Sequence, residues 1–161
     1  MVAGCSVGTS DVKSGGPLAY PDPDYRDAST APVALNEPYS WGLIYLDNTG
    51  SDPAQVEAFD LEQVPSGLHV LGSYAVPGNA GTGLLAGYAP NRGRPVVGLT
   101  IPPRETYNVV VGLSATAPGR HVIPQVRVQY TSGDQKYEAT FNQAVVLCAP
   151  KADYPECPSP L

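Results

Sequence analysis

VIPQVRVQYTSGDQKYEATFNQAVVL, residues 122–147, decides the fold class. Val122, Val126, Val128 and Tyr130 alternate with Ile123, Gln125, Arg127 and Gln129. A period of two belongs to a strand, whose successive side chains point to opposite faces. Ser132-Gly133-Asp134 interrupts the run, and Tyr137, Ala139 and Phe141 resume it, continuing to Val145 and Leu147. Two alternating runs joined by a short polar, glycine-containing loop predict a β-hairpin.

The same period recurs upstream. In 39–47 (YSWGLIYLD) it places Trp41, Leu43 and Tyr45 on one face; Ile44 and Leu46 make the other face apolar, which predicts a central strand. Residues 55–62 form a weaker strand, and 68–76 put Leu68, Val70, Tyr74 and Val76 together. The apolar segment 95–101 ends at Pro102-Pro103, which cannot donate ladder hydrogen bonds. In 106–114 Tyr107, Val109, Val111 and Leu113 alternate inward. No window carries a helical face. Seven or eight strands at these intervals predict an all-β, immunoglobulin-like, two-sheet antiparallel sandwich.

Composition agrees. Seventeen glycines and eighteen prolines in 161 residues exceed a fifth of the chain, and charged residues reach only 15%. A long-helix protein is excluded, while 42% hydrophobic residues suffice for a core. No run approaches the roughly 18 apolar residues of a membrane-spanning helix. The net charge is −6 and the nine basic residues are scattered, so no nucleic-acid partner is expected. Residues 6–32 mix Gly, Ser, Thr, Pro and Asp without periodicity. Three regions follow: 1–32 as a start and disordered tether, 33–148 as the sandwich, and 149–161 as a Pro-rich tail.

Two stretches carry a resemblance. LIYLDNTGSDPAQVEAFDLEQVPSGLHVL (43–71) resembles the front half of bacterial envelope immunoglobulin-like domains, including the group similar to the ASPM–SPD-2–Hydin domain. IPPRETYNVVVGLSATAPGRHVIPQVRVQY (101–130) resembles their back half. The Cys…Trp…Cys core of antibody-type domains is absent, since Trp41 has no cysteine pair across a sheet. Val2-Ala3-Gly4-Cys5-Ser6 resembles a bacterial lipobox, which implies Cys5 as the lipid acceptor. The charged and apolar regions that precede such a cysteine are expected upstream of Met1. The implied location is the outer face of the cytoplasmic membrane, held by the lipid alone; the alternative is secretion.

With Cys5 lipidated, Cys148 and Cys157 remain as an even pair, and an exported chain favours a disulfide between them. Catalytic and metal chemistry find little support. His69 and His121 lie in or beside strands and read as surface imidazoles. Asp22, Asp24 and Asp27 are interrupted by Pro23 and lack the EF-hand glutamate. The glycine-rich run Gly81–Gly87 has no βαβ context. No cofactor, metal or enzymatic activity is expected.

The expected working surface is the long loop 77–93, with Tyr88, Asn91, Arg92 and the adjoining Arg94 as binding residues. Seventeen residues far exceed a tight hairpin, and Tyr and Arg are enriched at binding hot spots. The plainer reading makes 84–88 one more edge strand. The function expected is a non-enzymatic envelope lipoprotein or exported protein that binds or scaffolds an envelope protein partner. The alternative is a secreted module that binds a small molecule, carbohydrate or metal.

Overall fold

Thirteen strands build the described chain, which comprises residues 11–21 and 27–159 of a computed structural model. Near the N-terminus are β1 (Lys13–Ser14), β2 (Leu18–Ala19) and β3 (Asp27–Pro32). The middle holds β4 (Pro38–Asn48), β5 (Ala54–Leu61), β6 (Leu68–Pro77), β7 (Gly83–Ala86) and β8 (Thr100–Ile101). The remainder is β9 (Thr106–Ala115), β10 (Gly119–Ile123), β11 (Val126–Ser132), β12 (Gln135–Phe141) and β13 (Gln143–Ala149). Single 3-10 turns occur at Pro90–Arg92 and Lys151–Asp153. Seven strands reach seven residues or more, so the all-β sandwich expected from the hairpin and its companions is what forms.

One sheet runs β2-β4-β9-β6, with β7 also pairing with β4. The other layer is split into β1-β12-β11-β5-β8 and β10-β13-β3. Their inner faces meet in one core that includes Trp41, Ile44, Val109, Leu113, Val128 and Leu147, none with measurable exposure. Each such aliphatic side chain stabilises by roughly 1.5–3 kcal/mol. The outer face of β5 and β11 is polar and solvated, with Arg127 facing Glu62 at 3.2 Å and Lys136 facing Glu57 at 3.6 Å.

The hairpin is longer than a single ladder. Pro124 and Asn142 break it, so β11–β12 and β10–β13 belong to different sheets. The side-chain parity changes across the break: Ile123 is buried with Val126, Val128 and Tyr130, while Val122 is only half-buried. Two bulges produce similar corrections. One between Trp41 and Ile44 puts Trp41 on the face of Ile44 and Leu46, not of Leu43 and Tyr45. Another between Val70 and Gly72 leaves Val70 exposed and turns Tyr74 away from the core that Leu68 joins. A bulge adds one residue and so reverses every later face. The strand expected over 95–101 is reduced to Thr100–Ile101, with Val96 and Leu99 buried from a turn.

The expected tether is also corrected. Cys5, Asp22 and Asp24 lie outside the described residues, but Lys13–Ser14 pair with β12 and Leu18–Ala19 with β4, while β3 runs parallel beside β13. Leu18 is 2% exposed. Its backbone N–H donates to Tyr130 Oη at 3.0 Å, and that hydroxyl donates to the Gly15 carbonyl at 2.6 Å. A Cβ on Gly16 would fall on the Tyr130 and Tyr137 side chains, so Gly16 lets the backbone cross this tyrosine stack, while Gly15 takes a positive φ of 78°. At Gly16 an apparent linker glycine serves a close approach.

Candidate functional site

The outer face of β4, β9 and β6 is partly covered. After β6 the chain crosses above it: Thr82 N–H donates to the Gly42 carbonyl, and β7 then pairs with Tyr39–Gly42 at the edge of β4. Residues 84–86 are therefore an edge strand, the plainer of the two readings. From Gly87 the chain returns across the sheet, and Arg94 pairs with Ala75 of β6 through hydrogen bonds of 2.7 and 2.9 Å. This excursion encloses a cleft of about 580 Å³ against the sheet. The volume lies within the roughly 300–1,000 Å³ range of small-ligand sites.

Tyr88 spans the cleft. Its ring lies over Gly112 of β9, where a Cβ would come within 2.5 Å of it. The ring also packs against Tyr74, with centroids 5.8 Å apart. The Tyr88 hydroxyl is buried without a hydrogen-bond partner. Burial, and then the neighbouring Tyr74, push its pKa above the ordinary phenol value, so near neutral pH it is an uncharged group able to donate a hydrogen bond.

Asn108 forms part of the same lining and is 1% exposed. It stands on β9, opposite Tyr45 on one side and Val76 on the other. Both its Nδ2 and Oδ1 lack a partner. Leaving a buried amide unpaired costs about 1–3 kcal/mol. Asn48 shows the satisfied counterpart: its Nδ2 donates to the Asp52 and Ile101 carbonyls at 2.9 and 3.0 Å, and its Oδ1 accepts from Gly50 N–H at 3.0 Å. Asn48 holds a turn together, whereas Asn108 presents an unused donor and acceptor.

Of the residues expected on the loop, Tyr88 and Arg92 reach the cleft. Asn91 is exposed on the 3-10 turn, and Arg94 lines a separate depression with Pro95 and Val97. Arg92 is exposed, and among the described residues it faces no carboxylate. Ser40 is already engaged, donating to the Gly87 carbonyl at 2.5 Å. The cleft therefore offers an amide floor, a phenol, one guanidinium and apolar walls from Val76, Leu85 and Val110. This set is suited to hydrogen bonding and to a negative charge.

Sequence reasoning missed Asn108, although a signal was present. The outward positions of TYNVVVGLS include Val110 and Gly112, so β9 is apolar on both faces and its outer face must be covered. A polar residue on such a face is buried too.

Elsewhere, the expected Cys148–Cys157 disulfide is formed, with Cα atoms 5.6 Å apart. His121 is not a surface imidazole: it is 8% exposed, beside Gly67, with Nε2 2.8 Å from the Ala117 carbonyl. His69 is exposed. Among the described residues no group of three or more His, Cys, Asp or Glu could hold a metal, and no helix is long and apolar enough to cross a membrane.

No family model matches the chain, and no curated protein matches it. Among the solved structures similar to this chain are the following two. One is the VesB protease of Vibrio cholerae, at 12% identity and a TM-score of 0.47, covering 83% of this chain but only 32% of the protease chain. The other is the ASH/PapD-like domain of human CEP192, its PapD-like domain 7, at 10% identity and a TM-score of 0.46, covering 78% of this chain and 82% of that one.

Proposed function

We propose that this chain is a non-enzymatic, extracytoplasmic binding module that takes a ligand in the cleft between residues 77–94 and the outer face of β4-β9-β6. The observation that carries this reading is Asn108, a fully buried amide with neither atom paired, in the lining of an open cleft. A buried amide with neither atom paired is uncommon and calls for a partner, which a ligand in the cleft would supply. The disulfide supports an oxidising compartment. Cys5 as a lipid acceptor would hold the module at the outer face of the cytoplasmic membrane. Seven residues separate Cys5 from Lys13, which limits the span to about 28 Å. The cleft favours a small ligand or a short segment of an envelope protein partner over a broad flat scaffold contact.

Two experiments test the two halves. Saturation-transfer NMR with a mixed panel of sugars, acylamino acids and nucleosides is compared between the native protein and Ala86→Trp, which fills the cleft from an exposed position. Binders that disappear in the variant support the site; binders retained, or none at all, reject it. For location, the full gene is expressed with Cys5 or with Cys5→Ser. Partition into detergent and a diacylglyceryl mass are expected only for the former, and equal partition rejects the anchor.

A further inference from the structure

Asn108 specifies more than a site. A primary amide holds a donor and an acceptor side by side, and here both are buried without partners. An amino-acid residue in extended conformation projects its N–H and its carbonyl or carboxylate oxygen in the same direction, which is the complement of that pair. Arg92, exposed and without a carboxylate partner among the described residues, supplies the one positive charge of the lining. No acidic side chain lines the cleft, so a free ammonium group would find no counter-charge there. Val76, Leu85 and Val110 provide an aliphatic wall.

From these we infer that the cleft takes an acylamino acid carboxylate: an acylated N–H, an aliphatic side chain and a free carboxylate on one residue. Asn108 Oδ1 accepts the acylated N–H, and Nδ2 donates to one carboxylate oxygen. The second oxygen is left for the Arg92 guanidinium, and the side chain lies on the aliphatic wall. A purely apolar ligand would leave Asn108 unpaired. A nucleotide would place several negative charges against a single arginine. A free amino acid would bury an unmatched cation. The same chemistry is offered by a small N-acyl amino acid and by the C-terminal residue of a peptide. The inference rests on the cleft being the binding site proposed above.

The test is titration of the 15N-labelled protein with N-acetyl-leucine, N-acetyl-leucinamide, free leucine and an acetylated tripeptide ending in leucine. N-acetyl-leucine is expected to shift the Asn108 side-chain NH₂ resonances. Its affinity should exceed that of N-acetyl-leucinamide and of leucine by at least about tenfold. Arg92→Gln, at an exposed position, should bring the acid down to the level of the amide and leave the amide unchanged. Asn108→Leu should abolish binding while raising the melting temperature, because it removes an unpaired buried polar group. A tripeptide that binds more tightly than N-acetyl-leucine identifies a peptide C-terminus as the source; a weaker or equal tripeptide identifies the small molecule. Equal affinity for acid and amide, or an Arg92→Gln protein that still separates them, overturns the inference. If none of these probes binds while other fragments bind and are lost in Ala86→Trp, the inference falls and the cleft remains the site. If no fragment is lost in Ala86→Trp, the proposed site falls with it.

Discussion

Tyr130 has no measurable exposure, and its hydroxyl is bonded on both sides of Gly16, to the Gly15 carbonyl and the Leu18 N–H. Burial raises its pKa to about 12; the Leu18 N–H opposes this shift and the adjacent Tyr137 adds to it. The folded state therefore holds the phenol proton more tightly than the unfolded chain, whose tyrosines titrate near 10. The associated stability is fully present below about pH 10 and is lost as pH rises toward 12, on the order of 2 kcal/mol in all. Urea unfolding from pH 8 to 12 should show this fall in the native protein and a flatter profile in Tyr130→Phe. At neutral pH that variant should lose about 1–2 kcal/mol, because the buried Leu18 N–H is left without its acceptor and the Gly15 carbonyl loses a donor. An unchanged alkaline profile in Tyr130→Phe would remove the assignment.

The element that forms the proposed cleft is the excursion from β6 through β7 and back to Arg94. Its return segment carries Tyr88 over Gly112, a contact that only the absence of a Cβ permits. Gly112→Ala should cost about 1–3 kcal/mol by overpacking. The cost should shrink when Tyr88→Ala is added, and a double-mutant cycle measures the coupling. Equal costs in both backgrounds would mean that the ring does not rest there. The C-terminal tail covers a different surface. Every residue of β13 is buried, yet Ala144, Val146 and Cys148 lie outside the main core. The disulfide brings Cys157 back over this strand, its sulfur 3.8 Å from the Val146 carbonyl. Cys157→Ser should lower stability by about 2–3 kcal/mol by loop-closure arithmetic while the sandwich stays folded. Hydrogen exchange should accelerate in β13 and remain slow in β9; uniform acceleration would show that the tail supports the whole domain.

At the scale of the molecule, the N-terminal segment belongs to the sandwich. β3 pairs with β13 over six residues, and Leu18 fills the core beside Tyr130. Leu18→Ala should cost about 2–5 kcal/mol. A chain beginning at Val33 should give poorly dispersed amide spectra and no cooperative urea transition; a cooperative, well-dispersed chain would restore the tether reading. What could be read from the sequence was local: the Ser132-Gly133-Asp134 turn, the inward row Tyr107, Val109, Val111 and Leu113, and the cysteine pair at the end of the last strand. A strand's alternation is set by its own geometry, so it is visible in one dimension. The bulges at Gly42 and Gly72, which reverse the faces of β4 and β6, depend on what packs against them. Gly15-Gly16 looks like a linker until the Tyr130–Tyr137 stack lies against it, and Leu18 looks isolated until β4 pairs beside it. In the cleft, Tyr88 and Arg92 could be proposed from composition because they sit in one long loop. For Asn108 the apolar outer face of β9 signalled only that it would be covered; that residues 77–94 do the covering, from distant positions in the chain, was not legible. Sequence alone determined the period of each strand and the kind of fold; only tertiary packing decided which faces are covered, and an unpaired amide gains its meaning from being covered.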